Sequence, residues 1–435
     1  MRTVILFRLL LTGCLLLLLT GCTFGATVDA LLTPPHLRGE QEQIYQALEN
    51  AVGNRITLQY PRTGEHLSAV MISDLDDDAL DEAAVFYRKE GTLTTENALR
   101  LNLLDQADGQ WMSVCDLPAE GAVVDRVVVS KIGKQERLIV GYAQVDQSDK
   151  VLVIYNYADG NLTKNFTVPY SSFDVADLNG DAIPELMVLR AAEGEHNAEA
   201  AVYVPDERDN YTRYALTLQG KITEYSQVLC GSTQNGEIAV YLDGIVGATT
   251  MQTEILQFDG KNLSSLSDTE KTSTLRPVGW LTMDIDQDGV PEVPVQALFP
   301  GYKETDSDLI RMTRWMTVTQ DGTLQEKSRG YYNLGDGYAF LLPPNWRRMV
   351  TVQNDTLTGD LVFYHYGGDR LTAMPELMRI AVATDTATRD SRLEEGYQLL
   401  YSRGNAFYFV KVPENNTDEL ARNIGDLLGY FMFVS

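Results

Sequence analysis

One acidic pattern occurs three times at nearly constant spacing, and it constrains the fold more than any other feature of the chain. In its clearest copy, residues 284–292 read Asp-Ile-Asp-Gln-Asp-Gly-Val-Pro-Glu. The other copies begin at Asp74 and Asp177, so successive copies start 103 and 107 residues apart. A pattern that returns at a fixed period predicts a repeat architecture. Oxygen-bearing side chains fill the first, third, fifth and ninth places: Asp74, Asp76, Asp78 and Glu82; Asp177, Asn179, Asp181 and Glu185; Asp284, Asp286, Asp288 and Glu292.

These residue types at these steps are suited to a hard cation. Alternate residues of a tight loop direct their side chains to a common centre, and Ca²⁺ takes about six to eight oxygen ligands. Three short Asp or Asn side chains and one longer Glu supply most of that shell, which leaves Leu75, Leu178 and Ile285 to face apolar packing. We therefore predict up to three Ca²⁺ ions, one in each loop. An acidic hairpin turn without an ion is the alternative for any single copy.

The sequences that flank the loops distinguish them from an EF-hand. An EF-hand needs a bidentate Glu at its twelfth place and a helix on each side, whereas the twelfth places here are Val85, Val188 and Val295. Residues 83–86 and 186–189 form short apolar runs, which are typical of strands. Each loop is therefore expected to join two strands of a hairpin.

The three loops differ at their sixth place. It is Gly289 in the third copy but Ala79 and Ala182 in the other two. Glycine adopts the left-handed backbone of a sharp turn at little cost, whereas alanine does not. The first two loops are therefore expected to bind a cation more weakly than the third.

Strand-rich segments of a similar plan lie halfway between the loops. Residues 123–142 and 226–242 each read as strand, turn and strand, without the ligand set, so the true repeat is about 51 residues long. Such units cannot bury both faces alone and must pack against their neighbours. The sequence predicts a mainly β fold, with about five four-stranded repeats in residues 55–328. Asp-Gly turns close most of the units, at Asp108-Gly109, Asp159-Gly160, Asp259-Gly260 and Asp321-Gly322.

An Asp-x-Asp-x-Asp-Gly-x-x-Glu loop between two strands, on a blade-length period, resembles the FG-GAP or VCBS type of repeat found in calcium-binding β-propellers. The resemblance extends over about 260 of the 435 residues. It is complete in the third loop, lacks the glycine in the first two, and is absent from the two intervening units. The resemblance implies a β-propeller-like array in which structural Ca²⁺ ions brace the loops on one rim.

A different pattern follows the repeats. Residues 329–435 are expected to form a small α+β domain of six short strands. A terminal helix over Asp418–Leu428 is expected behind Asn416 and Thr417, because Leu420, Ile424, Leu427 and Leu428 share one helical face.

The N-terminus has the character of a targeting segment. Arg2 and Arg8 precede an apolar stretch that is too short to span a membrane comfortably. That stretch ends in Leu19-Thr20-Gly21-Cys22, which resembles a bacterial lipobox. The resemblance implies that Met1–Cys22 is a lipoprotein signal peptide and that Cys22 is acylated. Residues 23–54 are then a tether and a short helix, and the protein is anchored on the outer face of the cytoplasmic membrane.

Composition limits the partners of the chain and its covalent cross-links. The formal net charge is −26, and no cluster of Lys and Arg is available for phosphate contacts, which argues against a nucleic-acid partner. Only Cys115 and Cys230 follow the targeting segment, and they are expected either to form one disulfide or to remain buried thiols.

Motifs for catalysis are missing from the sequence. We find no nucleophile elbow, no zinc-protease helix and no phosphate-binding loop. The leading prediction is therefore a lipid-anchored, calcium-binding β-propeller protein of the bacterial envelope that binds or scaffolds an envelope protein or a glycan without chemistry. The alternative is a propeller-based enzyme that acts on cell-wall or environmental glycans, with an acid/base pair assembled from distant repeats.

Overall fold

The computed structural model of the chain describes residues 39–91, 98–133, 135–144, 150–267, 273–319, 321–370 and 372–434. The predicted signal peptide, Cys22 and the tether up to residue 38 lie outside these residues. Within the described part of the chain, no helix combines the length and the apolar character that a membrane crossing requires.

The fold is mainly β, and its strands form consecutive antiparallel sheets. Helix α1 (Glu40–Val52) comes before them in the described part of the chain. The first sheet contains β1 (Ile56–Leu58), β2 (Val70–Ser73), β3 (Glu82–Lys89), β4 (Leu99–Ala107) and β5 (Gln110–Pro118). The second contains β6 (Val123–Ile132), β7 (Gln135–Ala143), β8 (Lys150–Ala158) and β9 (Asn161–Tyr170).

The next two sheets are also antiparallel and are formed mainly by consecutive strands. The third contains β10 (Ser172–Ala176), β11 (Glu185–Arg190), β12 (Glu199–Pro205) and β13 (Tyr211–Thr217). The fourth contains β14 (Glu224–Ser232), β15 (Ile238–Gly247), β16 (Thr250–Phe258), β17 (Leu263–Ser265) and the short β18 (Arg276–Pro277). The prediction of a mainly β fold of successive antiparallel sheets is confirmed; the second and third sheets have four strands, and the first and fourth have five.

Two five-stranded sheets complete the described chain. The fifth contains β19 (Val293–Leu298), β20 (Arg311–Val318), β21 (Leu324–Asn333), β22 (Tyr338–Leu341) and, from the C-terminus, β28 (Phe431–Phe433). The sixth contains β23 (Val350–Asn354), β24 (Leu361–His365), β25 (Glu376–Ala383), β26 (Gln398–Arg403) and β27 (Ala406–Lys411). Helix α2 (Thr386–Glu394) links β25 to β26, and the short α3 (Ile424–Leu427) precedes β28.

Turn residues explain why the strands reverse where they do. Asp108 and Asp159, at the tips of the β4–β5 and β8–β9 hairpins, have φ angles of 53° and 52°. The glycines that follow them are also left-handed, with φ angles of 74° and 73°. Two consecutive left-handed residues form the tight turn that matches the twist of a hairpin, and Asp-Gly is favoured there.

Hydrophobic clusters join each sheet to the next one along the chain. Phe86 of the first sheet packs with Val140 of the second, and Ile154 of the second packs with Val188 of the third. The other face of the first sheet is covered by α1, through Ile44 and other apolar side chains. Among the described residues, no hydrophobic cluster contains both the first and the sixth sheet.

The fifth and sixth sheets share one core, which changes the expected domain boundary. The boundary predicted at residues 328–329 falls inside β21, and Phe340 of the fifth sheet packs with Phe363 of the sixth. The fifth sheet is completed by β28, whose Met432 pairs with Ala339.

The predicted helix over Asp418–Leu428 is wrong in its extent. The side chain of Asn423 accepts a hydrogen bond from the Asp426 amide at 2.9 Å and so caps a helix that begins only at Ile424. Residues before Asn423 instead form turns, in which Asp418 accepts from the amide of Leu420 at 2.8 Å. Because asparagine competes for local backbone donors, it starts the helix one and a half turns later than apolar periodicity suggests.

The alternatives for the two cysteines are resolved in favour of free thiols. Cys115 lies on β5 and Cys230 on β14, and neither forms a disulfide. Burial raises the pKa of Cys230 to about 12, so this thiol stays protonated at neutral pH.

Candidate metal centres

The three acidic loops occupy equivalent places in the first, third and fifth sheets. The loops lead into β3, β11 and β19, and the ninth-place glutamate pairs with the residue just before the loop: Ser73 with Glu82, Ala176 with Glu185, and Met283 with Glu292. In the first and third sheets the loop closes a hairpin, as predicted. In the fifth sheet the strand on the N-terminal side is reduced to the single bridge at Met283. In the second and fourth sheets the sequence between the first two strands lacks the acidic pattern.

The first residue of each loop gathers backbone amides around its carboxylate. In the third loop Asp284 accepts from the amides of Asp288 at 3.0 Å and Gly289 at 2.7 Å. Asp74 accepts in the same way from Asp78 and Ala79, at 3.2 and 3.0 Å. These bonds curl the loop so that its alternate side chains converge, which is the arrangement inferred from the residue spacing.

A second bond anchors the base of each loop. The second-place amide donates to the ninth-place glutamate, from Leu75 to Glu82 at 2.7 Å, from Leu178 to Glu185 at 2.9 Å, and likewise in the third loop. The Leu75 and Leu178 side chains are only 4% and 3% exposed, which confirms that these residues face the core. The glutamate is therefore held below the loop, and one of its oxygens accepts a hydrogen bond from the backbone.

The sixth place adopts a left-handed backbone in all three loops. The φ angle is 70° at Ala79, 66° at Ala182 and 89° at Gly289. A residue with a Cβ pays about 1–2 kcal/mol for this conformation, whereas glycine does not. This strain is the physical basis of the expectation that the first two loops are weaker, which stays a prediction.

Burial makes the ninth-place carboxyls unusually weak acids. It raises the pKa of Glu82 to about 8, although the Leu75 amide acts in the opposite direction. Burial likewise raises the pKa of Glu185 to about 7 and that of Glu292 to about 7. Removing a carboxylate from water disfavours its charged form unless a cation compensates. Cation binding at these loops is therefore expected to release protons near neutral pH.

The second oxygen of this glutamate has a different environment in each loop. In the first loop Oε1 of Glu82 is buried and has no hydrogen-bond partner in the described structure. In the second, the side-chain amide of Asn179 donates to Oε1 of Glu185 at 2.6 Å. In the third, the ammonium of Lys327 donates to Oε1 of Glu292 at 2.8 Å. The three loops thus share one backbone frame. They differ in whether Oε1 of the ninth-place glutamate accepts a hydrogen bond, and in the group that donates it.

The carboxylate oxygens of two of the loops lie close together. Carboxylate oxygens of Asp74, Asp76 and Asp78 lie within 4.8 Å of one another, and those of the third loop do the same. These two groups could hold a metal ion, and hard oxygen donors of this kind favour Ca²⁺ or Mg²⁺. In the second loop the Asn179 amide nitrogen is directed at Glu185 and Asp181, at 2.6 and 3.2 Å. Its carboxamide must turn over before its oxygen can serve as a ligand.

Lys327 is the residue of this region that sequence reasoning missed. It lies on β21, 35 residues after the end of the third loop, and contacts Asp286, Asp288 and Glu292. Although burial opposes it, hydrogen bonding to these three carboxylates raises the pKa of Lys327. Nothing in the sequence near Lys327 marks it, because the contact depends on strand register.

A cleft outside the loops gathers charged side chains from three sheets. It has a volume of about 700 Å³ and is lined mainly by the first strands of the second, third and fourth sheets. Arg126 pairs with Asp174 at 2.8 Å, and Lys150 pairs with Asp125 at 2.9 Å. Asp125 also accepts from the Tyr170 hydroxyl at 2.6 Å. A cleft of this size and polarity can admit a small polar ligand or part of a polymer.

Comparison with known proteins gives no family. No protein-family model matches the chain, and no curated protein matches its sequence. Two solved structures of rhamnogalacturonan lyases, the exotype YesX and YesW, align at 13% and 14% identity with TM-scores of 0.26. The alignments cover 72% and 65% of this chain but only 62% and 64% of the lyases, so the chain spans less than two thirds of their length. A putative 6-phosphogluconolactonase from Bacteroides uniformis aligns over 74% of this chain and 94% of its own at 12% identity, with a TM-score of 0.29. Similarity at this level supports no conclusion about activity.

Proposed function

We propose that this protein is a lipid-anchored, calcium-binding β-propeller-like protein of the bacterial envelope, and that it binds or scaffolds a partner without catalysing a reaction. In this proposal up to three Ca²⁺ ions occupy the loops of the first, third and fifth sheets and brace one rim of the array. The partner is an envelope protein or a glycan, and the cleft of about 700 Å³ is the surface available to it.

One observation carries the calcium part of the proposal. Glu82 is 1% exposed, and its Oε1 has no partner while three other carboxylates of the same loop converge nearby. A buried acceptor without a partner costs about 1–3 kcal/mol, and burial of an uncompensated carboxylate costs more. A divalent cation held by Asp74, Asp76, Asp78 and Glu82 removes both costs. The same backbone frame recurs in the other two loops, where Oε1 of Glu185 and of Glu292 has a hydrogen-bond donor, so the proposal for those loops rests on the shared frame and ligand spacing.

Thermal unfolding of the full-length chain in detergent, with Ca²⁺ or with a chelator, tests this proposal. We expect Ca²⁺ to raise the unfolding temperature, because an ion that binds only the folded state adds about 2.7 kcal/mol at 100 times its dissociation constant. Glu82→Gln should reduce that gain, since an amide cannot supply the missing negative ligand. Asp108→Asn, in a turn without the ligand set, is the matched control and should leave the gain unchanged. Identical unfolding in Ca²⁺ and chelator would exclude calcium binding.

The membrane anchor is tested separately. If Cys22 is acylated, mass spectrometry of the protein from a bacterial membrane fraction should find Cys22 as the N-terminal residue, with attached acyl chains. Cys22→Ala should leave residues 1–21 attached and remove the lipid mass, because lipoprotein processing requires the cysteine. An unmodified Cys22 in the wild-type protein would contradict the proposed anchor.

The cleft also favours one alternative, an enzyme that acts on cell-wall or environmental glycans. Its lining includes the carboxylates of Asp125, Asp174, Glu193 and Glu224, and carboxylate pairs are the usual groups of glycoside hydrolysis. Asp125 and Asp174 are already paired with Lys150 and Arg126, which supports a binding role over an acid/base role for these two. Glycan cleavage by the purified protein that disappears on Glu224→Gln, with calcium binding intact, would establish the alternative.

A further inference from the structure

Lys327 sets the third loop apart from the other two. Its ammonium lies 2.9 Å from Oδ1 of Asp286, 2.6 Å from Oδ2 of Asp288 and 2.8 Å from Oε1 of Glu292. A lysine has three N–H donors and one compact positive charge. The three N–H donors of Lys327 are therefore all used. They contact three of the four side chains that would hold an ion.

The position of Lys327 follows from a bulge in the fifth sheet. Along the β20–β21 pair, Trp315 is opposite Ser328 and Met316 is opposite Glu326, so Lys327 has no opposite residue. A bulge of this type redirects the side chain of the extra residue and is often found beside functional sites. On β20, Met316 is in turn opposite Val293, the residue that follows Glu292. The strand pairing therefore places the bulge in line with the end of the third loop.

The first sheet contains the same bulge but without a lysine. Leu103 is opposite Cys115 and Leu104 is opposite Ser113, which leaves Val114 as the extra residue. Leu104 is also opposite Ala83, the residue after Glu82. Val114 and Lys327 are therefore equivalent positions in their sheets. Valine offers no cation, and the first loop is the one in which the buried glutamate oxygen has no partner.

We propose that Lys327 is a tethered cation that occupies the ion position of the third loop and competes with Ca²⁺ for it. This inference rests on the proposed calcium function of the loops and makes it specific. In the wild-type protein the third loop, which has the most complete sequence pattern, is therefore stabilised by Lys327 without Ca²⁺. The first loop, with Val114 in place of the lysine, is assigned to Ca²⁺ binding.

Calorimetric titration of the full-length chain in detergent with CaCl₂ tests the inference. Lys327→Met should increase the number of bound ions by one relative to the wild type. In chelator the same variant should unfold at a lower temperature, because three carboxylates lose their counter-charge, and Ca²⁺ should restore the loss. A salt bridge with a purely structural role would lower the unfolding temperature equally with and without Ca²⁺, which would overturn the inference.

The reverse substitution, made in the first sheet, gives a test that does not depend on whether Lys327→Met folds. Val114→Lys should decrease the number of bound ions by one, since it supplies the first loop with the lysine of the fifth sheet. Lys131→Met is the control, because Lys131 pairs with Asp77, at 3.9 Å, which is outside the ligand set. Unchanged ion numbers in Lys327→Met and Val114→Lys, with ions bound by the wild type, would overturn the inference and leave the calcium proposal in place. No heat from any of the four proteins would overturn the calcium proposal itself.

Discussion

Replacing Asp243 by alanine is expected to lower the free energy of unfolding by about 3–5 kcal/mol, because it leaves the charge of Arg276 buried without its counter-charge. The Asp243 and Arg276 side chains are both 0% exposed and approach to 2.7 Å. Asp243 also accepts from Thr253 at 2.6 Å and from the backbone and side chain of Thr282. The whole network lies within and beside the fourth sheet, where water cannot replace a lost partner.

Urea unfolding followed by circular dichroism measures this loss. The matched control is Glu199→Ala, which removes the partner of Arg213 from a pair whose side chains are 33% and 44% exposed. An exposed pair contributes at most about 1 kcal/mol. The double variant Asp243→Ala, Arg276→Met should be less destabilised than Asp243→Ala alone, since it contains no uncompensated charge. A cost below 1 kcal/mol for Asp243→Ala would contradict the expectation.

Replacing Trp346 by alanine is expected to cost about 3–5 kcal/mol, the usual range for truncating a large buried aromatic residue. Trp346 is 0% exposed and packs with Phe340 and Phe363, at ring-centre distances of 6.0 and 6.3 Å. Its indole N–H donates to the carbonyl of Leu420 at 2.8 Å. One side chain therefore joins the fifth sheet, the sixth sheet and the C-terminal segment.

The same urea experiment distinguishes a shared core from two separate domains. If the fifth and sixth sheets unfold together, Trp346→Ala should shift one transition that includes both. A separate early transition, with the rest of the curve unchanged, would contradict the shared core. Leu357→Ala is the control because Leu357 is 94% exposed, and substitutions at such positions usually change stability by less than about 0.5 kcal/mol.

The repeating sheets and the loop frame could be predicted from the sequence because both depend on local patterns. The ligand spacing placed Asp74, Asp177 and Asp284 at the start of equivalent loops, and it correctly directed Leu75 and Leu178 into the core. Asp-Gly turns marked the hairpins for the same reason, since a tight turn needs particular residues at adjacent positions.

The features that escaped prediction depend on contacts between distant segments. The pairing of β28 with β22 joins residues about 90 positions apart, and no local pattern indicates it. Helix α2 was missed because it buries no apolar side chain and so lacks the periodicity by which helices are recognised. Lys327 was missed because a bulge, which a sequence of alternating residues does not reveal, determines its direction.

The alternation of loop-bearing and loop-free sheets has a consequence for how such a chain can change in length. The first, third and fifth sheets carry the acidic loop, whereas the second, fourth and sixth do not. The repeat that includes the loop therefore spans a pair of sheets, about 103–107 residues. Gain or loss of a single sheet would bring two loops, or two plain turns, side by side. Related proteins are therefore expected to differ in length by steps of two sheets.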